Sequence, residues 1–94
     1  TLASPSTTSS PAVPGLVLNG TTGQAAVCCL FAPNTSHTAM SAGYTARYPT
    51  SLGGQPANVA VIDKVGLSGV GPEAPGTTVS TARPFVGLAV ALTR

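Results

Sequence analysis

Charge is nearly missing from this chain. Lys64, Arg47, Arg83 and Arg94 stand against Asp63 and Glu73, only 6% of the residues are charged, and none of the first 46 is an Asp, Glu, Lys or Arg. Four cations scattered over the second half make no basic face, and no aromatic platform is interleaved with them, so nucleic acid is not an expected partner. The shortage also argues against disorder: unfolded chains are held open by net charge, and here it is +2. With so little charge, little keeps identical copies apart, which points to a homo-oligomer or a larger assembly.

Large side chains are scarce as well. There is no Trp, there are two Phe and two Tyr, and Leu, Val, Ile and Phe together make up 21 of the 94 residues. A single domain of this length hides roughly 60 to 70% of its unfolded surface. Built mainly from Ala and Val, such a core gains less per residue than the roughly 1.5 to 3 kcal/mol of a large buried side chain. Partners that supply more burial are a natural remedy.

Long apolar runs are absent too. Pro5, Pro11, Pro14 and Pro33 interrupt the uncharged first half, no cationic segment precedes an apolar stretch, and the apolar runs, such as Phe85 to Leu92, are short. They fall far below the roughly 20 residues of a spanning helix, so neither a leader nor a membrane span is expected. Helix in general is poorly supported, since Gly and Pro number 11 and 9 and no window keeps a 3.6-residue period over three turns.

What remains reads as strands and turns. Residues 1–14, TLASPSTTSSPAVP, are expected to be an extended Ser/Thr/Pro-rich arm, either a loose tail or a segment that orders on a partner, with one β-rich domain over 15–94. Short apolar runs punctuated by Gly, Pro, Asn and Ser predict strands at Leu16 to Leu18, Ala25 to Phe31, Thr38 to Tyr48, Asn58 to Val65, Thr77 to Thr81 and Phe85 to Leu92. Asn19-Gly20 is expected to join the first two as a hairpin, and Gly66 to Gly76 to form a surface loop. In the last strand Val86, Leu88, Val90 and Leu92 alternate with Phe85, Gly87, Ala89 and Ala91. This predicts a central strand with its large aliphatics in the core and its small face open to a neighbour.

Reactive groups are few: one His, one Asp, one Glu and the adjacent Cys28 and Cys29. A triad of Ser or Cys with His37 and Asp63 lacks any local signature, so no catalytic residue is expected and the chain reads as a non-enzyme. His37 is expected in a turn beside Asn34, Thr35 and Ser36. Three potential N or S ligands, two of them pointing apart, do not make a closed zinc site, and no cofactor or metal is expected. The two thiols read as small buried hydrophobes on opposite faces of one strand, with a vicinal or intermolecular disulfide as the alternative. Thr1 could be an N-terminal nucleophile, although removal of an initiator Met explains it more simply. The sequons Asn19-Gly20-Thr21 and Asn34-Thr35-Ser36 leave a secreted or surface adhesion module as the alternative reading.

Residues 19–48, NGTTGQAAVCCLFAPNTSHTAMSAGYTARY, resemble the head-decoration family typified by protein D of phage lambda. An amide residue, Asn19, precedes Gly20, Thr21 and Thr22. Ala25, Ala26 and Val27 open an apolar strand, a Thr/Ser-rich turn follows, and Ser41 to Gly43 leads to Arg47-Tyr48. Residues 83–92, RPFVGLAVAL, are similar to the family's closing strand, with Phe85, Gly87 and Ala89 in the matching places. The resemblance implies a compact, mainly β domain of the β-tulip type. It also implies a homotrimer on the outer surface of the virion, binding the major capsid protein at three-fold positions and stabilising the expanded shell as cement. On that reading the arm, through Ser4, Pro5, Ser6, Thr7, Thr8, Ser9, Ser10, Pro11 and Val13, orders on the shell by pairing with an edge strand of the capsid protein.

Overall fold

The computed structural model describes residues 2–18, 20, 22–48, 58–70 and 72–92, of which 2–6 are described as backbone alone. The protein is mainly β, with no helix among the described residues. Among the described residues nine strands follow one another: β1 (Leu2–Thr8), β2 (Leu16–Val17), β3 (Gln24–Phe31), β4 (His37–Met40), β5 (Thr45–Tyr48), β6 (Val59–Leu67), β7 (Pro72–Glu73), β8 (Thr77–Val79) and β9 (Arg83–Leu92). Five of them form one antiparallel sheet in the order β1-β9-β3-β6-β5, while β2 pairs with β7 and β4 with β8 in two short ribbons.

Strict alternation along β3 sends Gln24, Ala26, Cys28 and Leu30 to the inner face, where they meet Ala60 and Ile62 of β6 and Phe85 and Ala89 of β9. The ribbons and the segment ahead of β2 cover that face, bringing in Val13, Tyr44 and Val79, with Leu16, Met40 and Leu67 packed at the margin. Small residues on the sheet let this thin cover approach closely. Gly87 is the extreme case, because a Cβ built there would lie 2.5 Å from Val13 Cγ2 and 2.7 Å from Leu30 Cδ2.

The central position expected for β9 is found, between β1 and β3, but its two faces are reversed. Phe85, Gly87 and Ala89 are buried, and Val86, Leu88, Val90 and Leu92 are exposed. Period-two alternation fixes which residues share a face but not which face is covered. Here the cover lies so close that only the small face fits beneath it.

Three further expectations are corrected. The stretch Thr38 to Tyr48 is two strands rather than one, split by a turn in which Tyr44 N–H donates to the Ser41 carbonyl at 3.1 Å and Gly43 takes a left-handed φ of 85°. The halves then enter different sheets. β2 and β3 do not pair as a hairpin: Asn19 lies outside the described residues, and Gly20 N–H donates to the Gly69 carbonyl at 2.9 Å. Of the Gly66 to Gly76 loop, the part Pro72–Glu73 is the ribbon partner of β2.

Candidate binding surface

Of the residues expected as an extended arm, 2–14 lie on their own chain, and Thr1 lies outside the described residues. β1 runs antiparallel to β9 with Leu2 opposite Gly87, Ser4 opposite Phe85 and Thr8 opposite Arg83. The register slips between Ser4 and Thr8, opposite Pro84, which has no N–H to offer a ladder. Beyond β1 the chain crosses the inner face. Ser9, Pro11 and Pro75 carbonyls accept from the Val79, Thr77 and Val13 N–H groups, each at 2.9 Å. Pro11 and Val13 are buried, whereas Thr7, Ser9 and Ser10 are exposed and Thr8 is half-buried. Two apolar side chains with core positions available to them, and an open β9 edge beside them, account for the docking. Composition alone did not reveal it, because Ser and Thr dominate around them.

The family-like residues do not converge on one spot. Ala26, Phe85, Gly87 and Ala89 are inner-face core, while Ala25, Val27, Arg47 and Tyr48 face outward. Thr22, Gly20 and Gly43 sit in turns, and Thr21 lies outside the described residues. What does come together is the two matching segments: β3 and β9 are neighbours along seven consecutive pairs from Ala25 opposite Leu92 to Phe31 opposite Val86.

Electrostatics are local and mostly self-neutralising. Arg47 Nε donates to Asp63 Oδ2 at 2.8 Å across β5 and β6, and this bond raises the guanidinium pKa. Arg47 is largely exposed and Asp63 half-buried, so Arg47→Ala is expected to lower the urea midpoint only slightly, by a salt-sensitive increment read by denaturation at low and high ionic strength. On the other side Tyr44 donates its hydroxyl to Glu73 Oε1 at 2.9 Å. Lys64 Nζ lies 3.9 Å from the same oxygen and 5.7 Å from the centroid of the Tyr44 ring. Burial, aided by that carboxylate, holds the Tyr44 hydroxyl well above the ordinary phenol range. The cluster ties β7 to the main sheet.

The reactive groups are dispersed. His37 is not in a turn: it opens β4, is fully buried, and donates from Nε2 to the Asn58 carbonyl at 2.9 Å. Its Nδ1 then accepts the Thr77 hydroxyl at 2.7 Å. Asp63 is held by Arg47 instead, so the structure does not join the two into a triad. Cys28 and Cys29 point to opposite faces as free thiols, but only Cys28 is buried; Cys29, expected buried, is exposed because no described residue covers the outer face of β3 there. Burial pushes the Cys28 pKa up to about 11. Among the described residues no three His, Cys, Asp or Glu side chains are grouped as metal ligands. A shallow depression where Ser10 and Pro11 meet Met40, Ser41 and Thr78 carries no titratable group. The feature that most resembles a binding site is thus a surface, the outer face of the sheet together with the β1 edge.

No family model matches the chain, and no curated protein or solved structure matches it.

Proposed function

We propose that this protein is a capsid decoration, or cement, protein of a phage. It binds the major capsid protein on the outside of the head as a homotrimer at three-fold positions and stabilises the expanded shell without performing a reaction. The observation that carries this reading is the adjacency of β3 and β9. One strand from each of the two segments that separately resemble the lambda-type family, residues 19–48 and 83–92, pairs with the other at the centre of the sheet. The scarcity of reactive groups and of charge suits a protein that covers and clamps.

On this reading β1 is the segment offered to the shell. As an edge strand of Ser, Thr and Pro with an interrupted register on β9, it makes a weak closing strand. It can leave β9 and add to an edge of the capsid protein. Three such strands per trimer act through effective concentration. The test is co-sedimentation of the protein with expanded, undecorated heads of its phage. Saturable binding is expected to expanded heads and not to unexpanded ones. A variant lacking residues 2–8, which keeps Pro11 and Val13, is expected to stay folded and to bind at least ten-fold more weakly. Absence of binding to expanded heads removes the capsid reading, and undiminished binding by the shortened protein removes the role of β1.

A further inference from the structure

Arg47 and Lys64 find their counter-charges within the molecule, and Arg83 does not. Arg47 pairs with Asp63, and Lys64 approaches Glu73, which also accepts the Tyr44 hydroxyl. Asp63 and Glu73 are the whole of the sequence's acidic side chains. Arg83, the first residue of β9, has no ion pair among the described residues, and its Nε is buried there without a hydrogen-bond acceptor. Enclosing a donor of a charged group without an acceptor costs stability, so the fold of the free chain gives no reason for an arginine at this place.

The position is fixed from both sides. Ahead of it Ser80 N–H donates to the Ser36 carbonyl at 3.0 Å and Thr81 N–H to Thr35 Oγ1 at 2.9 Å, and Pro84 follows with its restricted φ. Arg83 is half-buried and stands opposite Thr8, the last residue of β1. Just beyond Thr8 the Ser9 and Pro11 carbonyls accept from the Val79 and Thr77 N–H groups. This end of β1 therefore stays beside Arg83 wherever the other end goes, and a partner segment that takes up β1 is brought to the guanidinium. The planar fork of an arginine matches a carboxylate or a phosphate. Nucleic-acid phosphates call for several cations on one face, whereas Lys64 and Arg47 lie on β6 and β5, two and three strands away from β9 and beside their own acids. A second copy brings only Asp63 and Glu73 again, both engaged. An Asp or Glu of a different protein fits.

We propose that Arg83 is the docking point for an acidic side chain of the partner that receives β1, its guanidinium taking a carboxylate this chain does not possess. The inference rests on the capsid reading, on which that side chain belongs to the major capsid protein. An arginine that is unpaired in the free protein and paired in the complex gives two readouts of opposite direction. The experiment compares wild type with Arg83→Met, which keeps the apolar stem, by urea denaturation and by co-sedimentation with expanded, undecorated heads free of DNA. The variant's midpoint is expected to equal or exceed that of wild type, while its binding weakens at least ten-fold. Arg83→Lys, which keeps the charge but not the fork, is expected to bind between the two. Amidating the carboxylates of the heads with carbodiimide and glycinamide is expected to weaken wild type to the level of Arg83→Met and to leave that variant's binding unchanged. Equal binding by wild type and Arg83→Met overturns the proposal and leaves the capsid reading standing, whereas no binding by wild type removes both. A clearly lowered midpoint or a failure to fold makes Arg83 a structural residue and overturns the proposal. So does amidation that acts alike on both proteins, or binding of duplex DNA by wild type that Arg83→Met loses, which would assign a phosphate instead.

Discussion

Gly87→Ala is expected to lower the unfolding free energy by about 1–3 kcal/mol, the usual cost of forcing a methyl into a packed core. The new Cβ would meet Val13 Cγ2 at 2.5 Å and Leu30 Cδ2 at 2.7 Å, one above the sheet and one within it, so both side chains must shift to admit it. Because Gly87 is paired with both Leu30 and Leu2, β9 cannot simply move away. The segment carrying Val13 is the more yielding side. The loss is therefore expected to be smaller in a Val13→Ala background, where the offending methyl is gone, and urea denaturation of the four proteins of this double-mutant cycle measures that coupling. Strict additivity of the two substitutions would show that Val13 does not press on Gly87.

His37→Ala is the second large loss, about 2–4 kcal/mol, from a buried cavity together with two hydrogen bonds. The imidazole links three elements: its own β4, Thr77 of β8 and the Asn58 carbonyl just ahead of β6. That carbonyl also accepts from Ala32 N–H at 2.9 Å, so both its lone pairs are engaged. Burial lowers the His37 pKa below its ordinary 6.5, since the charged form loses its hydration. The unfolded chain thus binds a proton more readily than the folded one, and unfolding free energy rises with pH through this window. The wild-type protein is expected to hold its full stability above about pH 6.5 and to lose part of it as pH falls below that value toward the lowered folded pKa. In His37→Ala that acid-side slope disappears, and denaturation midpoints collected from pH 7.5 down to 5 make the comparison. An equal slope in both proteins would assign it to other groups.

Strand-rich character and the central place of β9 were legible in the alternation of Phe85 to Leu92 and in the density of turn residues. The phase of that alternation was not. Whether Leu88 or Gly87 lies inward depends on what covers the sheet, and the cover is the segment around Val13, some 70 residues away. β1 was hidden for a related reason. A stretch of Ser, Thr and Pro has no apolar period, and it becomes a strand because β9 presents an edge, not because of its own residues. Gly43 marks the break between β4 and β5, but the ribbon partner that draws β4 aside, β8, could not be seen locally. His37 was read as a turn residue from its neighbours Asn34 to Ser36, whereas its environment is set by Thr77, 40 positions on. Of the binding surface, the sequence marked out the residues of β3 and β9 while leaving open which of their faces is free.

The pairing of the first strand with the last has a consequence in time. β3 finds both of its neighbours downstream, and β1 finds its partner in β9, so this sheet cannot be completed until the chain has been synthesised through residue 92. Folding dominated by such distant pairings runs in milliseconds to seconds rather than microseconds. A nascent chain therefore emerges with its apolar strands unpaired, and the low charge that suits it to assembly leaves it little protection during that interval.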